Sequence, residues 1–313
     1  MSRLNTLAAA AQSLADGMDF SLLFDHKKKL FSVGLEESEG CISKYNYDLL
    51  ASEARTAVFV AVAKGEVPQE SWFQLKRSYR TYKRRGVLLS WSGTAFEYLM
   101  PCLWLRGYPN TLLDRGVRSM LRTQQKFAQE AGIPWGISES SCAQRNPDGH
   151  YRYHAFGVPD LASHTDDCSG DLVVAPYATF LGMMFDLDGA LANLRELKKL
   201  GTVSAYGFYE AVDFTSKRNT AEGGHVVVRN WMAHHQGMSL VAAANALCNS
   251  VMQRRFHAEP RVAAIERLLH EREPRVLPYE EDVEGISESS PALAGLAVQA
   301  PHPGFRDLVP KLL

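Results

Sequence analysis

Four short segments of this chain set a glutamate among aromatic, small and hydroxyl-bearing residues. The most concentrated is Trp135-Gly136-Ile137-Ser138-Glu139-Ser140. The others are Ser52-Glu53-Ala54-Arg55, Trp91-Ser92-Gly93-Thr94-Ala95-Phe96-Glu97-Tyr98 and Tyr206-Gly207-Phe208-Tyr209-Glu210. Each lies at the edge of a helical run. Aromatic faces stack on sugar rings, while carboxylates accept hydrogen bonds from sugar hydroxyls and move protons. The combination points to a carbohydrate-processing cleft. Cleaving a glycosidic bond typically uses two carboxyl groups that flank it, close together for retention of configuration and further apart for inversion. One of the two must stay protonated near neutral pH, which burial among apolar groups can achieve.

Glu139 sits in a short loop after Pro134-Trp135, with Ser138 and Ser140 able to orient it. Glu53 lies early in a largely apolar helix, where an unpaired carboxylate would be costly, so a salt bridge to Arg55 competes evenly with a catalytic role. Glu210, flanked by Tyr206, Phe208 and Tyr209, reads as a ligand for a sugar hydroxyl or as the acid itself, with capping of the next turn as the blander alternative. Glu97 precedes Tyr98-Leu99-Met100-Pro101 at a helix start and is expected to contact substrate. Trp91, Trp135, Tyr177 and Tyr209 are candidate sugar-facing aromatics. Adjacent histidines on a helix point about 100° apart, so His234 and His235 cannot both face one ion and no metal is expected. That helix is expected instead to line the cleft through His234, His235 or Gln236, with Arg229 available to pair with a cleft carboxylate.

The elements that must position these residues are helical. Residues 49–63 form an apolar, alanine-rich segment closed by Lys64-Gly65 and Pro68. Helical spacing runs over 111–131 and ends at Gly132. Residues 176–184 and 188–200 form a hairpin-like pair, with Asp186 and Asp188 at its turn and Gly201 as a cap. Residues 230–249 continue into 251–272, before Pro274 and Pro278. The near-even spacing of Gly65, Gly132 and Gly201 predicts recurring helical hairpins with long functional loops. Strand signals are few, at 29–33 and 224–228. From about 276 onward Glu280-Glu281-Asp282 gives way to Ser, Pro, Gly and Ala, the composition of a weakly ordered tail. Its Gly285-Ile286-Ser287-Glu288-Ser289-Ser290 stretch repeats the first motif without the tryptophan. Lys27-Lys28-Lys29 and Lys83-Arg84-Arg85 read as solvated surface.

Composition narrows the setting. A chain of 313 residues with 46% hydrophobic content can bury a substantial core. A net charge of −1 gives no electrostatic support to a nucleic-acid partner. The cysteines Cys41, Cys102, Cys142, Cys168 and Cys248 are scattered without a C-x-x-C pair, which argues against a disulfide framework or zinc site and for a reducing compartment. The first 16 residues read as a helix closed by Asp16 rather than as a signal peptide, and no apolar run reaches bilayer-spanning length.

A set of motifs then occurs in one order: Gly17-Met18-Asp19-Phe20, Tyr47 through Arg55, Leu89-Ser90-Trp91-Ser92-Gly93 through Pro101, Pro134 through Ser140, Phe156-Gly157-Val158-Pro159, Val174 through Thr179, Tyr206 through Ala211, and Met232-Ala233-His234-His235-Gln236-Gly237-Met238-Ser239. To about Arg275 the chain resembles the glycoamylase-like domain in the middle of bacterial cyclic β-1,2-glucan synthases. The resemblance implies an all-α fold, an (α/α) barrel or toroid of helical hairpins over 1–275. Because the match begins inside the family's helical domain, the barrel is expected to be incomplete at its N-terminus. It implies cleavage of linear β-1,2-glucan and rejoining as a ring by retaining transglycosylation, without metal or organic cofactor. It tips Glu53 and Glu139 to the catalytic pair, with Glu139 as acid/base and Glu53 as nucleophile, an order that can be reversed. The alternatives are hydrolysis, as in related stand-alone β-1,2-glucanases, and a non-catalytic glucan-binding remnant. The synthases' glycosyltransferase and phosphorylase-like regions are not in this sequence, so they are expected as separate subunits, with the chain cytoplasmic and reaching the inner membrane through such a partner. Residues 142–146 and 166–168 depart from the usual pattern.

Overall fold

Helix ends fall where local chemistry places them. In the computed structural model, which describes residues 2–36, 40–82, 85–164, 170–218 and 224–273, helix α1 spans Ser2–Asp16, α2 Ser52–Lys64, α3 Glu70–Gln74, α4 Ala95–Leu99 and α5 Leu112–Ala131. They are followed by α6 (Pro176–Gly182), α7 (Leu187–Lys199), α8 (Ala233–Leu247), α9 (Val251–Phe256) and α10 (Pro260–Ile265). Thr111 opens α5 by accepting the Asp114 N–H, and Gly132 closes it at φ +68°, a left-handed conformation that costs a residue without Cβ little. Asp186 Oδ1 caps α7 through the Gly189 N–H. Helix α2 begins three residues later than the periodicity predicts, because Asp48 Oδ1 accepts the N–H groups of Leu50 and Ala51 and holds them in a turn. The helix expected over 251–272 is broken into α9, α10 and a 3-10 turn at Glu266–His270. Pro260 stands at the first turn of α10, where its missing N–H cannot continue the preceding helix.

Packing follows the chain. Helix α4 lies between α2 and α6, and α6 lies between α4 and α8, while α5 packs on α4, α7 on α6 and α10 on α2. On α5, Leu112, Val117, Met120, Leu121, Gln124 and Ala128 form one buried face at helical spacing. The core also takes in Leu49, Phe59, Trp72, Tyr98, Leu103 and Leu181, each of which stabilises the fold by roughly 1.5–3 kcal/mol on burial. By contrast, α1 buries none of its side chains and is held at its end by the Arg261–Asp16 ion pair. Among the described residues no helix is long and apolar enough to cross a membrane.

The expectation of an all-α chain needs one correction, because antiparallel ribbons fill the connections. The strands are β1 (Phe24–Asp25), β2 (Leu30–Phe31), β3 (Leu35–Glu36), β4 (Cys41–Ile42), β5 (Ser78–Tyr82), β6 (Arg85–Leu89), β7 (Ser140–Arg145), β8 (Tyr151–His154), β9 (Val173–Val174), β10 (Val203–Ser204), β11 (Gly207–Phe208), β12 (Ala211–Asp213) and β13 (Val226–Val228). Each of β1, β3, β5, β7 and β10 pairs with the next strand, and β12 lies between β13 and β9. The predicted ribbons at 29–33 and 224–228 correspond to β2 and β13. Residues 276–313, the 166–168 loop and Lys83-Arg84 lie outside the described residues.

Candidate active site

The loop carrying Glu139 is clamped through its backbone from α5 and α7. Buried Gln124 on α5 donates from Nε2 to the Ile137 carbonyl (2.8 Å) and accepts the Ile137 N–H at Oε1 (2.9 Å). Asn193 on α7 does the same for Trp135, accepting its N–H (3.0 Å) and donating to its carbonyl (2.7 Å). Gly136 lies between the clamps at φ +125°, and a Cβ there would come within 3.2 Å of the Ala175 carbonyl and Thr179 Oγ1. Only glycine adopts this conformation readily. The Gly136 carbonyl accepts the Ala175 N–H, which fixes the loop to the start of α6.

Ser138 orients the loop rather than the Glu139 carboxylate. Its Oγ accepts the Phe96 N–H of α4 at 2.9 Å and lies 2.8 Å from Tyr177 Oη, which donates to the Glu139 carbonyl at 3.0 Å. Burial and then the Glu139 charge push the Tyr177 phenol well above its ordinary range, so it stays protonated as a donor. The half-buried Glu139 side chain accepts a 2.8 Å hydrogen bond at Oε1 from Tyr153 Oη. Tyr153 reaches it because the turn 146–149 folds β8 back on β7, pairing Ser141 with Tyr153. Gly149, at φ +84°, donates to the Asn146 carbonyl, and Asn146 Oδ1 accepts the His150 N–H.

Behind Tyr153 lies a buried pair. His235 Nδ1 is 2.9 and 3.0 Å from the two Glu210 oxygens, and each side chain is 1% exposed. Glu210 Oε1 also accepts the Ser141 N–H. The His235 ring stacks on Tyr177 with centroids 3.8 Å apart, and its Nε2 is 3.4 Å from Tyr153 Oη. Glu210 and His235 border a small pocket, about 220 Å³ counting its open mouth, together with Tyr177, Phe180, Phe208, Tyr209 and Gln236.

The remaining candidates divide. Glu53 stands in the first turn of α2, and its side chain lies outside the described residues. Arg55 is buried and donates to the Glu97 and Tyr98 carbonyls, tying the start of α2 to α4. Glu97 completes a capping box, accepting from Ser90 Oγ, the Ser92 and Thr94 N–H groups and Thr94 Oγ1, and burial pushes its carboxyl up. These donors hold it within its own loop, away from the expected role as an open substrate contact. Trp135 is likewise corrected from a sugar platform to a core wedge: it is 7% exposed, and its ring occupies the space a side chain at Gly182 would need. Trp91 is exposed and stacks on His164 at 3.5 Å. Tyr209 packs beside exposed Trp231, which also meets Tyr206 edge-on. His234 is exposed, its pKa lowered by partial burial and by His235. Gln236 donates to the Phe208 carbonyl. Arg229 is exposed and forms no ion pair among the described residues. Sequence reasoning missed Tyr153, Trp231, Gln124 and Asn193; the Asn146-Pro147-Asp148-Gly149 turn is the signal that could have found Tyr153.

Comparison with known proteins agrees with this framework. Over 276 residues, 88% of its length, the chain is 41% identical to the cyclic beta-(1,2)-glucan synthase NdvB of Rhizobium meliloti (strain 1021), and it spans 10% of that protein. An endo-beta-1,2-glucanase structure from Chitinophaga pinensis shares the fold with a TM-score of 0.61 at 17% identity, over 85% of this chain and 65% of that one. A beta-1,2-glucanase from Parabacteroides distasonis superposes with a TM-score of 0.54 at 16% identity, over 70% and 34% of the two chains. Residues 45–260 match the Glycoamylase family, described as "putative glucoamylase". With the match covering every element that holds the Glu139 loop, the chain belongs to the Glycoamylase family.

Proposed function

We propose that this chain cleaves and rejoins β-1,2-glucan, with Glu139 and Glu53 as the reacting carboxyl groups. The observation that carries the reading is the half-buried Glu139 carboxylate, presented on a loop clamped on both sides and met by the Tyr153 hydroxyl. The relationship to a cyclic glucan synthase supports the substrate. A hydrogen bond donated to a carboxylate favours its ionised form, which supports Glu139 as nucleophile and Glu53 as acid/base, the reverse of the order taken from sequence. Arg55 and Ser138 each bond to α4, so the two catalytic segments share one support.

In the proposed reaction a Glu139 oxygen attacks the anomeric carbon as Glu53 protonates the departing glycosidic oxygen, leaving a glycosyl ester. The 2-hydroxyl at the other end of the bound fragment then attacks that carbon, returns its proton to Glu53 and releases Glu139, which closes the ring. Water in its place would give a linear product. We further propose that α2, α4, α6 and α8 are successive inner helices of an (α/α) toroid. Exposed Trp91, Trp231 and Tyr206 would offer sugar-stacking faces.

Incubation with linear β-1,2-glucan tests the reading. Products one water lighter than the linear oligomers, absent with Glu139→Gln and Glu53→Gln, are expected. Short linear products would make the chain a hydrolase. No turnover by a cooperatively folded chain would sink the enzyme reading and leave a glucan-binding remnant.

A further inference from the structure

We infer that Glu210, His235 and Tyr153 form a positioning relay that fixes the Glu139 side chain and favours its ionised form. This rests on Glu139 being a reacting carboxylate. The groups form a ring of contacts. From Glu139 the backbone runs two residues to Ser141, whose N–H meets Glu210 Oε1 at 3.2 Å. Glu210 holds His235 Nδ1 at 2.9 and 3.0 Å, His235 Nε2 faces Tyr153 Oη at 3.4 Å, and Tyr153 Oη donates to Glu139 Oε1 at 2.8 Å. The carboxylate is thereby referred back to its own main chain through β8, α8 and the segment before β12.

His235 is the pivot, and the groups around it leave it little freedom. It faces Glu210, Tyr153 from β8, Tyr177 from α6 and its neighbour His234 on α8. Tyr177 packs against its ring while bonding the Glu139 carbonyl, so one imidazole backs the tyrosines that hold both the main chain and the side chain of Glu139. With Nδ1–H directed to Glu210, Nε2 carries a lone pair and competes with Glu139 Oε1 for the single Tyr153 proton; the shorter contact directs that proton to Glu139, and His235 acts on Tyr153 by packing against its ring. Glu210 and His235 are buried and already paired, which suits them to holding Tyr153 rather than to binding a sugar.

Removing the Tyr153 hydroxyl removes a donor to the charged form of Glu139. Tyr153 is 38% exposed, so Tyr153→Phe should leave the fold intact. The titration of Glu139 is followed by the ¹³C shift of its side-chain carboxyl, assigned with Glu139→Gln. In Tyr153→Phe its midpoint is expected to rise by roughly one pH unit. The acidic limb of the kcat profile on linear β-1,2-glucan should move with it, and kcat should fall about 10- to 100-fold. Glu210→Gln, which loosens His235 but also removes a like charge, should move the midpoint by less than Tyr153→Phe does. An unmoved midpoint in Tyr153→Phe overturns the relay whatever happens to the rate, and a raised KM with unchanged kcat would place Tyr153 on the substrate instead. If the wild-type chain does not turn over the glucan, the functional reading falls while the ¹³C titration still decides the relay.

Discussion

The Glu97 and Glu139 turns look alike in sequence, each a glutamate set after a tryptophan, a glycine and hydroxyl residues, yet they are held in opposite ways. Among the described residues every donor to Glu97 lies within seven residues of it, and the carboxyl is almost fully buried. At Glu139 the groups that fix the loop come from α5, α6, α7 and α8, and the side chain stays half-open. A carboxylate satisfied by its own loop builds that loop. One presented by remote elements is available for chemistry.

Exchanging each carboxylate for its amide gives the strongest test of that contrast. Glu139→Gln should lower turnover of linear β-1,2-glucan by at least roughly 10³-fold, with the melting temperature nearly unchanged in scanning calorimetry. Glu97→Gln should do the reverse, turning one acceptor into a donor facing donors and costing about 1–3 kcal/mol in denaturant unfolding, while the folded fraction keeps its turnover. Equal activity losses in the two variants would erase the distinction.

The paired tryptophans sharpen it. Trp135→Ala should destabilise the fold by about 3–5 kcal/mol. Trp91→Ala should change stability by less than about 1 kcal/mol and weaken glucan binding in isothermal titration. Next comes the backbone clamp. Gln124→Ala strips the Ile137 N–H and carbonyl of their partners, at about 1–3 kcal/mol for each buried group left unpaired, and should lower kcat as well as stability.

In one respect the two turns should behave alike. Burial raises the phenols of both Tyr98 and Tyr177. In the unfolded chain each ionises near pH 10, so the stability they contribute is complete below that pH and declines as pH rises above it. Tyr177→Phe should flatten alkaline unfolding by up to about 1.4 kcal/mol per pH unit above 10; an unchanged slope would mean that the phenol is not excluded from water.

Much of this was legible where the chemistry is local. Thr111, Gly132 and Asp186 mark helix ends because caps act over three or four residues. The Thr94-x-x-Glu97 spacing of a capping box was also present in the sequence, and it accounts for Glu97 better than substrate contact does. What stayed hidden depends on tertiary approach. Trp135 is buried because Gly182, on a helix 47 positions later, leaves room for its ring. Tyr153 meets Glu139 through a hairpin register, and Asn193 reaches Trp135 from α7 across 58 positions. The break at Pro260 was missed because the helical pattern on either side of it is continuous.

The frame around the Glu139 loop is built from carboxamides: Gln124 and Asn193 carry no charge at any pH and bind with both donor and acceptor. Neither a change of pH nor added salt therefore acts on these two clamps directly. The loop should keep its shape across conditions that switch its chemistry on and off, so that an inactive sample at low pH is a protonated site in an intact frame, and activity returns on neutralisation without refolding.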